Sequence, residues 1–239
     1  MKGMTEMKIV LIHGQIHKGN TWNTANVLLN AIDCDKEVKE FFLPRELNRF
    51  CLGCCKCLEG RELCPFWEEK KALHEAVVGA DLIILTTPNY CMMPSAPMKA
   101  YIDLFFTYWL SHRPQEEMFS KKAVVISTAA GTGAAKAAKL VANCLTNWGI
   151  PQVTAYGQNV HASSWEKMPA KMKSKIVKDM EKLGKKLSQN KPAKVGVKTR
   201  AMFWFFGLLQ KKNWGASPAE KDYWESKGWL SGKKPWKKS

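Results

Sequence analysis

The sequence predicts an α/β protein in which a five-stranded parallel sheet lies between two layers of helices. Two observations support this fold class. Short apolar runs alternate with amphipathic segments five times along the chain, and several of these runs end in loops of small and polar residues. Because crossovers between parallel strands are right-handed, few topologies remain, and we expect the common strand order 2-1-3-4-5.

The predicted strands are short runs that are apolar or that alternate between apolar and polar residues. Continuous apolar runs are typical of strands buried on both faces of a parallel sheet, and residues 81–86 form the clearest example. The five predicted strands cover residues 8–12, 36–42, 81–86, 122–127 and 151–156.

Five segments with helical spacing follow these strands. The predicted helices cover residues 22–32, 68–79, 96–109, 134–148 and 168–187. Ligands of such sheets bind outside the carboxyl ends of the strands, at the point where the strand order reverses. The loops after the first, third and fourth strands are therefore the places where a binding site is expected.

Composition places the chain among ordinary globular proteins. It has 239 residues, of which 46% are hydrophobic and 24% are charged, so it can bury a substantial core. No apolar run approaches the roughly 20 residues that span a bilayer. The amino terminus lacks an apolar signal region. We therefore expect a cytoplasmic protein.

Basic charge is concentrated toward the carboxyl end. The formal net charge is +16, and the excess grows from about Lys167 onward. Such a surface suits an acidic protein partner or an anionic membrane, and it is equally typical of a solvated lysine-rich face. No nucleic-acid-binding motif accompanies the charge, so we expect no nucleic acid partner.

The alternating pattern stops near Lys191. This divides the chain into a predicted domain, residues 1–190, and an extension, residues 191–239. The extension carries five of the ten tryptophans, so we expect it to pack on the domain or on a partner subunit. Its apolar segment 202–209 has basic flanks and also suits a membrane interface. Gly and Pro breaks favour a clasp on a dimer partner over membrane contact.

The loop of residues 13–21 leaves a strand and opens a helix. Backbone N–H groups at a helix amino terminus bind anions, and Gly14 and Gly19 allow a tight turn. Asn20 and Thr21 can cap the helix or bind a phosphate oxygen. The loop matches neither GxxxxGK[ST] nor GxGxxG. A purely structural loop with a capping side chain remains the alternative.

Two further loops suit a planar heterocycle. Residues 86–95 combine stiffening prolines with the Tyr90 ring and the amide of Asn89, which offers both apolar faces and polar edge contacts. Residues 128–133 are small, so their backbone can approach a ligand edge. Each loop alone is equally compatible with a rigid packed connection.

Taken in order, these loops resemble those of the NADPH-dependent FMN reductase and iron–sulfur flavoprotein family. The resemblance covers roughly residues 7–160 and is carried by residues 14–21, 87–90, 94–103, 128–133 and the cysteine loop. It implies a flavodoxin-like three-layer fold, bound FMN, NAD(P)H as co-substrate, and a homodimer or tetramer.

The resemblance also implies roles for individual residues. The FMN phosphate would be held by Gln15, His17, Lys18, Asn20 and Thr21. The isoalloxazine would be lined by Pro88, Asn89, Tyr90, Cys91 and Met92, and its other edge would meet Thr128, Ala129, Gly131 and Gly133. Where the family usually has Gly-Ser-Pro-Arg, this chain has Gly14-Gln-Ile-His17 and lacks the guanidinium. Phosphate affinity would therefore be either lower or carried by Lys18. Arg113 would supply either a charge near the flavin or a structural ion pair.

Five of the eight cysteines fall in an insert, residues 51–64. Without a secretion signal, such clustering favours a metal or redox role over disulfides. The spacing Cys51-x2-Cys54-x2-Cys57-x6-Cys64 resembles that of iron–sulfur flavoproteins, which implies a [4Fe–4S] cluster on these four thiolates. Cys55 lies outside this register. A metal-free thiol loop, a zinc site and a dithiol pair remain open.

These observations predict an FMN-dependent oxidoreductase that passes electrons from NAD(P)H or a reduced carrier to a quinone, a ferredoxin or a small acceptor. Because the flavin carries the electron chemistry, no catalytic acid or nucleophile is required. The basic surface suits an acidic ferredoxin-type partner. The alternative is a non-catalytic redox sensor or electron carrier that responds through the cysteine loop.

Overall fold

The computed structural model describes residues 6–189, 191–213 and 217–237. Its core is a parallel sheet of five long strands: β1 (Met7–His13), β2 (Lys36–Phe42), β3 (Leu82–Tyr90), β5 (Lys122–Ala129) and β6 (Gln152–Asn159). Their order is β2-β1-β3-β5-β6, which is the predicted order for five strands. A sixth strand, β4 (Met93–Pro94), was not predicted and pairs antiparallel with β3.

Helices cover both faces of the sheet, as predicted. They are α1 (Asn20–Ala31), α2 (Trp67–Gly79), α3 (Ala96–Leu104), α4 (Ala134–Asn147) and α5 (Ala170–Leu187). Alternate side chains of each strand point to opposite faces. Val10 and Ile12 therefore join the core under α2, α3 and α4, whereas Ile9 and Leu11 join the core under α1 and α5. The predicted α/β three-layer class is confirmed.

Two predicted boundaries on either side of β4 are wrong. Strand β3 continues to Tyr90, because its ladder to β5 extends as far as Pro88 opposite Thr128 and its last two residues pair with β4. The predicted loop of residues 86–95 is therefore largely the end of β3 and a hairpin. Helix α3 ends at Leu104 instead of residue 109. A 3₁₀ turn at Phe106–Tyr108 follows, and it directs aromatic side chains of this segment into the core.

The extension is more regular than the sequence suggested. It contains α6 (Val197–Lys211) and α7 (Pro218–Ser226), and Gly207 is accommodated within α6. Helix α7 begins with a capping box between Ser217 and Glu220. Aromatic residues of the extension form a third core with two side chains of the preceding region: Phe203, Trp224 and Trp229 pack with Leu110 and Phe119.

Polar contacts also join the extension to the segment after α3. The Tyr223 hydroxyl donates to the carbonyl of Pro114 at 2.6 Å, and Trp224 Nε1 donates to the carbonyl of His112 at 2.7 Å. None of the helices in the described ranges is long and apolar enough to cross a membrane.

Candidate functional site

The three loops expected to bind the cofactor meet at the carboxyl edge of the sheet. The hydroxyl of Tyr90, the last residue of β3, donates to Gln15 Oε1, after β1, at 2.9 Å. Asn89 Nδ2 donates to the carbonyl of Thr132, in the loop after β5, at 2.8 Å. These hydrogen bonds connect each neighbouring pair of loops, so the sheet brings together what the sequence separates.

The amino terminus of α1 has the features of an anion site. Gly19 is its N-cap residue, and no side chain caps the helix, which leaves first-turn N–H groups free to meet an anion. His17 and Lys18 are exposed beside it. The alternative of a capping side chain is wrong: Asn20 Nδ2 donates to the carbonyl of Ala162 at 3.1 Å, and the Thr21 hydroxyl hydrogen-bonds to that of Thr128 at 2.6 Å.

Ser95 fixes the base of this site, a role that sequence analysis did not assign to it. The buried Ser95 hydroxyl donates to the carbonyl of Gly14 at 2.7 Å, and its backbone N–H donates to Thr87 Oγ1 at 2.8 Å. The contact is close enough that a Cβ on Gly14 would lie 2.6 Å from Ser95 Oγ and 3.0 Å from the carbonyl oxygen of Thr86. Glycine at position 14 is therefore required by the approach of the two loops.

The hairpin between β3 and β4 reaches the loop after β5. Its turn residues Cys91 and Met92 have positive φ angles of 50° and 65°, and both side chains are exposed, whereas Pro88 is buried. Gly133 has φ +92°, and a Cβ there would lie 2.8 Å from Met92 Sδ. Thr128 and Ala129 are buried in the end of β5, while Gly131 is exposed beyond it.

Unsatisfied polar atoms at this edge test whether FMN fits. Among the described residues, five buried side-chain oxygens have no hydrogen-bond partner, and three of them belong to these loops and strand ends: Asn20 Oδ1, Asn89 Oδ1 and Ser127 Oγ. Buried polar atoms normally have partners. The ribityl hydroxyls and ring N–H of FMN are donors that would satisfy such acceptors, so the residues present fit this cofactor.

His13 is a further residue of this edge that sequence analysis missed. Its ring stacks on Phe42, with centroids 4.6 Å apart. Nε2 lies 2.8 Å from Glu40 Oε1, and Nδ1 lies 2.8 Å from Thr86 Oγ1. A carboxylate can only accept, so Nε2–H donates to Glu40 and Nδ1 accepts from the threonine. Burial lowers the pKa of His13, which favours this neutral form.

The cysteine loop forms a second candidate site. All five cysteines of residues 51–64 line one pocket, together with Phe66, Leu104 and Phe106. Cys55 is thus in the pocket although it lies outside the predicted register. Among the described residues, no three cysteine, histidine or carboxylate side chains are arranged to hold a metal ion. The donor chemistry fits a thiolate-bound cluster, but the four-cysteine ligand set stays a prediction.

Burial raises the pKa of Cys57 to about 11. A thiol of this kind is protonated at neutral pH and is a poor nucleophile. The raised pKa therefore does not favour a role for Cys57 in a dithiol pair. It does not argue against a metal site, because a bound metal displaces the thiol proton.

The side chain of Arg113 helps to hold the cysteine loop. Arg113 Nη1 donates to the carbonyl of Leu58 at 2.9 Å and to the carbonyl of Glu59, and the guanidinium lies 4.8 Å from the ring centroid of Tyr223. Of the two roles considered for Arg113, the structure therefore supports the structural one. Its partners are backbone carbonyls instead of a carboxylate.

A buried network lies behind the same loop. Arg61 Nη1 donates to His74 Nε2 at 2.8 Å, and His74 Nδ1 is hydrogen-bonded to the Tyr108 hydroxyl. Lys70 Nζ donates to the carbonyl of Leu104 at 2.8 Å. Burial, aided by the charges of Arg61 and Lys70, lowers the pKa of His74 to about 4.

Comparison with known proteins agrees with this arrangement. Residues 7–163 match the family described as NADPH-dependent FMN reductase. The chain is 26% identical over 235 residues to an iron–sulfur flavoprotein of Archaeoglobus fulgidus, covering 94% of this chain and all of that one. It is 29% identical over 98 residues to an iron–sulfur flavoprotein of Methanocaldococcus jannaschii, covering 41% of this chain and 50% of the relative.

Solved structures share the fold. An NAD(P)H:quinone oxidoreductase from Methanothermobacter marburgensis superposes with a TM-score of 0.61 at 15% identity, covering 77% of this chain and 96% of that one. An FMN-dependent NADH-azoreductase from Bacillus anthracis, solved with FMN, superposes with a TM-score of 0.53 at 13% identity, covering 77% of this chain and all of that one. At such identities the likeness concerns the fold alone.

Proposed function

The chain belongs to the NADPH-dependent FMN reductase family and is an FMN-containing oxidoreductase, and we propose that it takes electrons from NAD(P)H or a reduced carrier, delivers them to a separate acceptor, and carries a [4Fe–4S] cluster on its cysteine loop. The observation that carries the proposal is the convergence of the loop cysteines on one pocket beside the end of α3. The same helix begins just after the hairpin at the carboxyl edge of the sheet. We call this edge, where the loops after β1, β3 and β5 meet, the flavin edge.

The chain's own residues would bind and orient the flavin. Gln15, His17 and Lys18 would offer donors to the phosphate beside the uncapped end of α1. Asn89 and Tyr90 would move from their present loop partners to the ring system. Bound FMN supplies the capacity to accept a hydride and release electrons, which amino-acid side chains lack.

Charge supports a thiolate-bound cluster on Cys51, Cys54, Cys57 and Cys64. A cluster of this type adds negative charge to the pocket. The positive charge of Lys70 is near enough to stabilise the thiolate form of Cys57. Such cations lower the cost of placing thiolates in a half-buried pocket.

The acceptor is proposed to be an acidic ferredoxin-type protein, ahead of a quinone or a small molecule. Helix α5 carries Lys185 and Lys186 in its last turn and no acidic residue in its first, and the whole chain has a formal charge of +16. Complementary charge accelerates encounter with an acidic partner. An encounter rate that does not fall as ionic strength rises would contradict this choice.

Cluster content can be tested with two neighbouring cysteines. Protein purified without oxygen is expected to contain about four irons and four sulfides per chain, together with FMN. Cys54→Ser is expected to lose most of the iron, whereas Cys55→Ser, outside the register, is expected to retain it. FMN content should be the same in both variants, because neither residue lies at the flavin edge.

The outcomes separate the alternatives. Flavin without iron in the unmodified protein would indicate a metal-free thiol loop, and zinc in place of iron would indicate a structural zinc site. Equal loss of iron in both variants would contradict the proposed ligand set. Slow turnover with both NADH and NADPH, despite bound FMN, would favour the redox sensor or carrier over the enzyme.

A further inference from the structure

Helix α6 of the extension has an apolar face that is mostly exposed. Phe203 packs inward, but Val197, Trp204 and Phe205 are 83%, 62% and 51% exposed. Positions 197, 201, 204, 205 and 208 share one side of a helix of 3.6 residues per turn. The outer side of α6 is thus an apolar stripe that begins at Val197 and ends at Leu208.

The charge around this stripe has one sign. From Lys182 to Ala219 the chain contains nine lysine and arginine residues and no aspartate or glutamate. Lys198 and Arg200 lie in the first turn of α6, Lys211 lies at its end, and all three are exposed. Long basic side chains beside exposed tryptophan and phenylalanine are the pattern of helices that lie in the headgroup region of a bilayer.

Anionic lipid suits this surface better than a second copy of the chain. A symmetric contact through α6 would bring the same cationic helix against itself, and like charges at an interface oppose association. Other exposed apolar side chains remain available for an assembly of copies, such as Phe50 just before the cysteine loop, Leu52 within it and Met93 of the hairpin. A surface of phospholipid headgroups supplies the negative charge that α6 itself lacks.

We propose that α6 docks this protein on anionic membrane surfaces, with Trp204 and Phe205 inserted among the headgroups and the flanking lysine and arginine side chains on the lipid phosphates. The described helices do not span a bilayer, so the contact would be peripheral and reversible. This role is independent of the proposed electron acceptor.

Vesicle sedimentation tests the proposal on the full-length flavin-loaded protein. Binding is expected to phosphatidylcholine vesicles that contain phosphatidylserine, at least about ten-fold more than to pure phosphatidylcholine, and it should weaken as salt is added. The double variant Trp204→Glu/Phe205→Glu should lose roughly ten-fold or more of this binding. Lys198→Glu/Arg200→Glu, which leaves the aromatic rings in place, should abolish the preference for phosphatidylserine.

Trp109→Glu is the matched control, since Trp109 is 43% exposed and lies outside the extension. It should bind vesicles as the unmodified protein does, and far-ultraviolet dichroism and FMN content should show that all variants fold. Failure to bind phosphatidylserine vesicles, or equal binding by the Trp204→Glu/Phe205→Glu variant, would overturn the proposal. If that variant instead dissociates an oligomer in analytical ultracentrifugation, the stripe is an interface between copies and the membrane role is wrong.

Discussion

The flavin edge and the cysteine loop are positioned by different kinds of interaction. The loops of the flavin edge leave three adjacent strands, whose ladder runs from β1 through β3 to β5. The cysteine loop follows β2, which pairs with β1 on one side and lies at the edge of the sheet. It is held in part by side chains of other segments: Arg113 donates to the carbonyls of Leu58 and Glu59, and His74 of α2 accepts from Arg61 of the loop.

This difference has consequences for robustness. A loop fixed by strand register keeps its place when one exposed side chain changes, because the ladder hydrogen bonds are made by the backbone. A loop fixed by a few charged side chains depends on each of them and on their protonation. The flavin edge should therefore be destabilised by substitutions that crowd its backbone. The cysteine loop should be destabilised by changes in the charge of the side chains around it.

The largest expected effect is the loss of folding stability in acid that arises from the buried network of Arg61, His74 and Tyr108 behind the cysteine loop. His74 is 8% exposed, and its pKa is lowered to about 4 from an ordinary value of 6.5. The unfolded chain therefore takes up this proton first, so the stability contributed by neutral His74 is present above pH 6.5 and is lost as pH falls toward 4. The loss is on the order of 3 kcal/mol.

His74→Gln keeps an acceptor for Arg61 but cannot titrate, so the variant should lose less stability than the unmodified protein between pH 7 and pH 5 in urea denaturation. His161→Asn removes an exposed imidazole at a position with φ 52°, where asparagine is tolerated, and it serves as the control. Parallel stability curves for the unmodified protein and His74→Gln would show that this network does not confer acid sensitivity.

The next largest effect is expected from an added Cβ atom where two loops of the flavin edge approach closely. Gly14→Ala would place Cβ 2.6 Å from Ser95 Oγ and 3.0 Å from Thr86 O, and such crowding costs about 2 kcal/mol. The loss should appear in the free energy of unfolding of the flavin-free protein, with weaker FMN binding in fluorescence titration because the loop must shift.

Gly131→Ala is the counterpart in the same site. A Cβ at Gly131 has no atom within 4 Å, so its effect on the stability of the flavin-free protein should stay within about 0.5 kcal/mol. Equal destabilisation by the two substitutions would mean that the flavin edge is not limited by the Gly14–Ser95 approach.

The same contrast explains how much the sequence predicts. Apolar runs such as residues 81–86 predict buried strands because burial on both faces excludes polar residues, and the strand order then brings the three flavin loops together. The rest of β3 lacks this apolar pattern. Thr87 and Pro88 are in the strand because they pair with β5, and Asn89 because it pairs with β4, and such pairings cannot be read from one segment.

Contacts made by single side chains over long separations could not be predicted. Arg113 meets Leu58 across 55 positions, and Ser95 meets Gly14 across 81; no periodicity links such pairs. The helices of the extension were missed for a related reason. Gly207 suggests a break, yet the packing of Phe203 against Trp224 stabilises α6 despite the cost of an interior glycine, about 1 kcal/mol.

The smallest expected effect isolates the support that Arg113 gives to the cysteine loop. Arg113→Met removes the two hydrogen bonds that Nη1 donates to loop carbonyls and should make local opening about 1.4 kcal/mol easier. Alkylation of Cys57, buried in the closed loop, should then be about ten-fold faster in iron-free protein, with FMN affinity unchanged.

Arg45→Met is the control, because Arg45 also stacks on a ring, that of Phe42, without a hydrogen bond to the cysteine loop. Unchanged alkylation of Cys57 in Arg113→Met would mean that the loop is positioned by its own 3₁₀ turns, and the contrast with the flavin edge would then fail.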